Sequence, residues 1–391
     1  MSGGSVAAGT WWAKAAVAVL MAVGGALGVG AAGAAGAAGA AGAAEVASAA
    51  AGAAAATGAG HACIAEGSSP SRPTVPWSSL RNPILSEPRA GVKDEAIVWT
   101  GGAWHMLFSE VTDDRKLSAG VRWNIATATS PDLLHWSAVK PWPLQAGVTG
   151  VASPDIVSDG QGGYLVTYQS DPGATPPSQD QSRLFYRTST DLRTWSGPHR
   201  LAWSLASASG DRMIDGAFVY TGHDLLLGFK YSSPSQPDVF ELARSTSGLP
   251  RGPWRLVGRP DIDVEGGTIE NYEFVTAGGQ WRLVATSNNL DQPWLFTLTG
   301  DPDQARGWLQ WSAGYPLSIP SEPFNSGPGI SSIGFEHANS AFLCDASAQP
   351  GQFFYLFYAG SDELTQFDGW GHAKIGVVRS TDLVHWQVPP G

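Results

Sequence analysis

Three heptapeptides decide the fold: Ser130-Pro-Asp-Leu-Leu-His-Trp136, Ser189-Thr-Asp-Leu-Arg-Thr-Trp195 and Ser380-Thr-Asp-Leu-Val-His-Trp386 are copies of one element. Each follows a strand-like stretch: Ile125-Ala-Thr-Ala-Thr129, Leu184-Phe-Tyr-Arg-Thr188 and Lys374-Ile-Gly-Val-Val-Arg379. Two looser copies fill the gap, Phe240-Glu-Leu-Ala-Arg-Ser245 leading to Trp254 and Pro293-Trp-Leu-Phe-Thr-Leu298 leading to Trp308 and Trp311. Trp136, Trp195, Trp254, Trp311 and Trp386 then stand 59, 59, 57 and 75 residues apart, so the chain holds five units, the last with an insertion between Ala359 and Gly371.

The front of each unit repeats as well. Glu95-Ala-Ile-Val-Trp99, the turn Gly101-Gly102 and Trp104-His-Met-Leu-Phe-Ser109 read as strand, hairpin turn, strand. The later copies begin at Asp155-Ile-Val157, Gly216-Ala-Phe-Val-Tyr220, Tyr272-Glu-Phe-Val275 and Ser340-Ala-Phe-Leu343. Helical periodicity is scarce after residue 70. Four-stranded units that cannot bury both faces alone, repeated five times, imply an all-β five-bladed β-propeller, whose blades cover one another radially. Two stacked β-sandwiches would not explain one uninterrupted repeat. In the Ser-x-Asp-Leu-x-x-Trp element the Asp is expected to cap a turn and the Trp to pack between blades, a structural role. The element resembles the sialidase Asp box but is one residue shorter and lacks its glycine, which counts against a sialidase.

The first sixty residues differ in kind. Ala15 to Gly33 is an uncharged apolar run behind Lys14, which reads as a secretory signal, with an uncleaved anchor as the alternative. Ala/Gly repeats follow. The expected organisation is a signal over 1–35, a linker over 36–62 and the propeller over 63–391. Export implies a secreted protein without stable membrane association once the signal is cut, and it permits a disulfide between the two cysteines, Cys63 and Cys344. A net charge of −11 without a basic run argues against nucleic acid as a partner.

Acidic residues open the units. Asp94, Asp155, Asp215 and Glu270 precede their unit's Trp by 42, 40, 39 and 41 residues, and Glu336-His337 takes that place in the fifth. Equivalent positions at the start of inner strands ring one end of a propeller's channel, so these acids are expected to converge there. Capping of strand ends could account for one or two of them. Glycoside hydrolysis needs two carboxyl groups in different protonation states, and a third can tune the acid.

Val92-Lys-Asp-Glu-Ala-Ile-Val98, Ser153-Pro-Asp-Ile-Val157, Met213-Ile-Asp-Gly-Ala-Phe218 and Ile269-Glu-Asn-Tyr-Glu-Phe274 resemble the blade openings of glycoside hydrolase family 43 and its sister family 62, over residues 90 to 388. The resemblance implies an inverting arabinofuranosidase or xylosidase, with Asp94 as general base, Glu270 as general acid and Asp215 raising and orienting the acid. It implies Asp155 as a pocket acid and His337 as a channel residue holding a water or cation. Two departures stand out: Asp94-Glu95 replaces the family's Asp-Pro, and Glu270-Asn-Tyr replaces Glu-Gly-Pro. Glu273 is therefore the alternative acid, although Glu270, eight residues before its Gly-Gly turn against seven for Asp94, fits the register better. Trp123, Tyr272, Phe335 and Trp370 are candidate sugar platforms, although a residue of this kind is more often core than platform. No zinc or nucleophilic-triad motif occurs, and a structural Ca2+ in the channel has no ligand motif behind it. The expected partner is an oligo- or polysaccharide, bound by a monomer; a catalytically silent glycan-binding propeller is the rival reading.

Overall fold

A computed structural model of the protein describes residues 63–64 and 73–390, apart from 113–121, 160–161, 171–181, 207, 209, 222–223, 263, 265–267, 288–291, 327–337, 348–352 and 363–372. The apolar run, the Ala/Gly segment, His337, Phe335 and Trp370 lie outside the described residues.

Five antiparallel sheets follow one another along the chain. Blade 1 is β1 (Gly91–Thr100), β2 (Ala103–Thr112), β3 (Arg122–Ser130) and β4 (Lys140–Pro141). Blade 2 is β5 (Val151–Ser158), β6 (Tyr164–Ser170), β7 (Leu184–Ser189) and β8 (His199–Arg200). Blade 3 is β9 (Arg212–Tyr220), β10 (Leu225–Ser233), β11 (Gln236–Ser245) and β12 (Trp254–Gly258). Blade 4 is β13 (Ile269–Ala277), β14 (Gln280–Ser287), β15 (Gln292–Thr297) and β16 (Tyr315–Pro316). Blade 5 is β17 (Asn339–Asp345), β18 (Phe354–Ser361) and β19 (Ala373–Ser380). Each sheet runs in simple sequence order, so every blade is a meander. The fold is a five-bladed β-propeller.

The segment before β1 completes blade 5. Ile84 N–H donates to Ile375 C=O, Ile375 N–H returns to Leu85 C=O, and the Asn82 side chain bonds both backbone groups of Val377. Further upstream, Cys63 C=O accepts Trp99 N–H of β1, and Cys63 is disulfide-bonded to Cys344 of β17. Blades 1 and 5 are thus joined by a covalent bond that encloses 281 residues of chain.

The repeated heptapeptide is a turn, as its composition implies. Asp132, Asp191 and Asp382 each accept two backbone N–H groups, from residues two and three positions on. The following Leu133, Leu192 and Leu383 sit at φ 65°, 58° and 64° with buried side chains. Aromatic packing fills the spaces between blades: Trp104 of blade 1 lies 6.0 Å from Phe357 of blade 5, and Phe240 of blade 3 stacks on Tyr272 of blade 4 at 4.1 Å.

Candidate active site

The inner strands share a defect. In each blade the ladder between the first two strands gains one residue on the inner strand: between Lys93 and Ala96, Ala152 and Asp155, Ile214 and Ala217, Glu270 and Glu273, and Asn339 and Phe342. These are β-bulges, which bend a strand and re-aim its side chains. Every bulge contains one non-glycine residue in the left-handed region: Asp94 (φ 54°), Ser153 (51°), Asp215 (52°), Asn271 (51°) and Ser340 (55°). Such a conformation costs about 1–2 kcal/mol for an L-residue, and five in equivalent places mark a ring around the channel. Asn and Asp tolerate it best.

The neighbouring blade stabilises three of the five bulges. Ser153 N–H donates to Ser109 Oγ at 2.8 Å, Asp215 N–H to Gln169 Oε1 at 2.5 Å, and Ser340 N–H to Thr286 Oγ1 at 3.0 Å. A backbone group that the bulge removes from its own sheet is thereby satisfied by the second strand of the preceding blade. After Asp215 the chain needs a glycine, because a Cβ on Gly216 would come within 2.9 Å of Leu184.

This ring corrects the register read by counting back from tryptophan. Asp94 and Asp215 are true equivalents, but their counterparts in blades 2 and 4 are Ser153 and Asn271. Asp155 lies two residues past its bulge and Glu270 one residue before. Differences of one or two residues in the outer turns absorbed the offset, and only the ladder reveals it.

Asp94 is the hub. Its Oδ2 accepts Ser109 Oγ (2.7 Å) and Ser153 Oγ (3.2 Å), and its Oδ1 accepts Ser340 Oγ (2.6 Å) and Asn271 Nδ2 (3.1 Å). Lys93 Nζ stands 3.3 Å away and also lies over the Trp123 ring. Four blades therefore orient one carboxylate. Asp215 and Glu270 meet across Lys230 of β10, whose Nζ is 2.6 Å from Glu270 Oε2 and 3.5 Å from Asp215 Oδ2. The Lys230 side chain is 4% exposed and Asp215 5%, while Glu270, at 25%, reaches solvent. Burial pushes the Asp215 carboxyl up; Lys230 opposes this, and Glu270 and Asp94 add to it. Burial opposes the charge on Lys230, yet the two carboxylates more than offset it and its pKa is raised.

Asp94, Asp215 and Glu270 line one cavity of about 300 Å3, with Lys93, Lys230, Trp123 and the ion pair Arg212–Asp238 on its walls. Trp123 is half-buried there. Asp155 and Glu273 are not on its lining. They border a smaller adjoining space with Glu95 and Tyr272, which Asp94 and Asp215 also line. Each serves the next blade in the same way: Asp155 Oδ2 accepts Phe218 N–H (3.3 Å) and Glu273 Oε2 accepts Leu343 N–H (2.5 Å). The acceptors lie two residues past one bulge and the donors three residues past the next, which gives both carboxyls a place in blade packing. Tyr272 is buried, stacked on Phe240, and its hydroxyl donates to Ile269 C=O. Glu95 is buried with neither carboxyl oxygen hydrogen-bonded, and burial pushes its pKa and that of Glu273 well up, favouring the protonated forms. Among the described residues, no three His, Cys, Asp or Glu side chains are grouped to hold a metal ion.

Lys230 was not found by reading the acids alone. A lysine closing the apolar run Leu225-Leu-Leu-Gly-Phe-Lys230 was the available signal, since a buried lysine demands a carboxylate partner.

No family model matches the chain, and no curated protein does. Solved structures do. An α-L-arabinofuranosidase from Lactobacillus brevis aligns at TM-score 0.52 and 13% identity, over 79% of this chain and 95% of that one. A GH62 hydrolase solved in complex with xylotriose aligns at TM-score 0.51 and 13% identity, over 76% and 95%. Bacteroides ovatus Xyloglucan PUL GH43B gives TM-score 0.48 and 15% identity; the match covers 80% of this chain and 56% of that longer one. The chain shares the five-bladed propeller fold of the first two of these structures.

Proposed function

We propose that the protein is a glycoside hydrolase that cleaves pentose-containing plant-wall glycans by single displacement with inversion. Asp94 acts as the base that deprotonates water, Glu270 as the acid that protonates the leaving oxygen, and Asp215 as the carboxyl that positions the acid. The observation that carries the reading is the gathering of these three carboxyls, from blades 1, 3 and 4, on one cavity beside Trp123. Inversion requires the two working carboxyls to stand roughly 6.5–9.5 Å apart with a water between them. The donors around Asp94 suit a base: they aim its oxygens and leave it acceptor-only. Burial raises the Asp215 carboxyl, which suits it to a positioning part beside Glu270. The apolar run behind Lys14 supports export to the cell exterior.

One observation favours a second reading, a propeller that binds glycans without cleaving them. An acid must present a proton, whereas Glu270 is ion-paired with Lys230 at 2.6 Å. Hydrolysis would then require substrate to displace the ammonium from the carboxyl. The discriminating experiment is turnover of nitrophenyl α-L-arabinofuranoside, β-D-xyloside and galactoside, and of arabinan and arabinoxylan, by the wild type and by Asp94→Asn and Glu270→Gln. The hydrolase reading expects activity on at least one substrate and a loss of at least a hundredfold in both variants. Equal inertness of all three proteins, together with retained glycan binding, would establish the second reading.

A further inference from the structure

A second cleft lies between blades 1 and 2, at the other end of the strands. Asp94 sits near the start of β1, at the mouth. The cleft is bordered instead by the early part of β2, by the close of β3 and by the heptapeptide turn of blade 2. Its volume is about 650 Å3, roughly twice that of the carboxylate cavity and within the usual span of small-molecule sites.

Its chemistry is opposite to that of the mouth. Lys140, Arg187 and Arg193 line it, and no carboxylate does. Among the described residues none of the three cations forms an ion pair, whereas Lys93, Arg212 and Lys230 at the mouth each face an acid. Asp191, in the heptapeptide turn that borders the cleft, is occupied in capping its own turn. On a chain of net charge −11 this is a local reversal of sign. His105 on the floor adds no charge, since burial and then Arg193 hold its pKa down.

The floor is aromatic and fixed. The Arg187 guanidinium lies 4.8 Å over the Trp142 ring, and its Nε donates to Tyr168 Oη at 3.1 Å. Tyr168 in turn donates to Gln145 Oε1 at 2.7 Å. Trp142 and Trp195 meet at 5.5 Å. In the repeat, the indoles of Trp136, Trp254 and Trp311 donate to a carbonyl three or four residues back. Trp195 does not: it is turned against Trp142, and its N–H is buried without an acceptor, as is that of Trp386 in blade 5. A positioned guanidinium, two exposed cations on the rim and an aromatic floor suit a ligand with a flat apolar ring face and carboxylates spaced along it.

We infer that this cleft is a separate binding site for acidic oligosaccharide, a run of uronate-bearing sugar units, distinct from the site of cleavage. The sugar class rests on the carbohydrate reading of the mouth; the preference for anions rests on the cleft alone. Carboxylates would bridge Lys140, Arg187 and Arg193 while a ring edge lies along Trp142 and Trp195.

The test is calorimetric titration of the full chain with galacturonic acid trimer and with xylotriose, in the wild type, in Lys140→Ser/Arg193→Ser, in Arg187→Gln and in Asp94→Asn. Both rim residues are exposed and can be replaced without disturbing the core. The expected result is binding of the acidic trimer that weakens at least tenfold in the rim variant and in Arg187→Gln, weakens with added salt, and is unchanged in Asp94→Asn. Absence of binding, equal binding by the rim variant, or loss in Asp94→Asn would each overturn the inference. A wild type that binds the trimer here but hydrolyses nothing would leave the cleft standing and remove the hydrolase reading.

Discussion

Replacing Lys230 by Met tests the electrostatics of the mouth. Lys230 is buried and holds two carboxyls, at 2.6 and 3.5 Å. At an effective dielectric of about 20, opposite unit charges 3.5 Å apart attract by roughly 5 kcal/mol. Removing one partner of such a buried cluster typically costs about 3–5 kcal/mol, because uncompensated charge is left behind. The carboxyls can escape that cost by taking up a proton. For an aspartate of reference pKa about 3.9, neutralisation costs roughly 1.5 kcal/mol at pH 5 and about 5–6 kcal/mol at pH 8. Lys230→Met should therefore lose about 3–5 kcal/mol of unfolding free energy at pH 8, and no more than about 1–2 kcal/mol at pH 5. The native Lys230 pKa is raised, so the ammonium's own contribution is fully present at both pH values and is lost only as pH rises through the lysine range. The assay is urea unfolding of both proteins at the two pH values, followed by tryptophan fluorescence. An equal loss at pH 5 and pH 8, or none at either, would refute the assignment of Lys230 as the counter-charge of Asp215 and Glu270.

Other consequences are as definite. Glu95→Met should stabilise the protein at pH 8 by about 1–3 kcal/mol, the cost of an unsatisfied buried polar group, and the gain should shrink toward pH 4. The sign follows from linkage: a carboxyl whose pKa is raised on folding loses stability as pH rises from its unfolded to its folded value, and thermal unfolding across pH 4 to 8 reads it. Breaking the Cys63–Cys344 bond with Cys344→Ser should cost up to about 5 kcal/mol in the chain-entropy limit, given the 281-residue separation, and denaturant titration of the variant measures it. Ser340→Ala should weaken the hold on Asp94 and lower turnover on whichever glycoside proves to be cleaved, with KM little changed. A fall in KM-determined binding alone would place Ser340 in substrate contact instead.

The architecture is legible in the residues alone, because a propeller is written in repetition. Five tryptophans recur, each behind a strand and three of them behind a turn whose Asp caps its own backbone, and they leave little choice of fold. Composition likewise placed Cys63 and Cys344 as the sole possible pair. Which carboxyl faces which space depends instead on the folded geometry of the inner strands. The bulge in each inner strand shifts side chains by one position, and a shift of one residue exchanges the two faces of a strand. Counting from distant tryptophans could not detect that. Hence Asp155 and Glu273, which read as site acids in sequence, prove to brace neighbouring blades, while Asp94 and Asp215 occupy equivalent left-handed positions at the mouth. The same holds for Lys230: Asp215 reaches it from the paired strand of its own blade, but Glu270, 40 residues ahead on blade 4, is brought to it only by radial packing of blades 3 and 4.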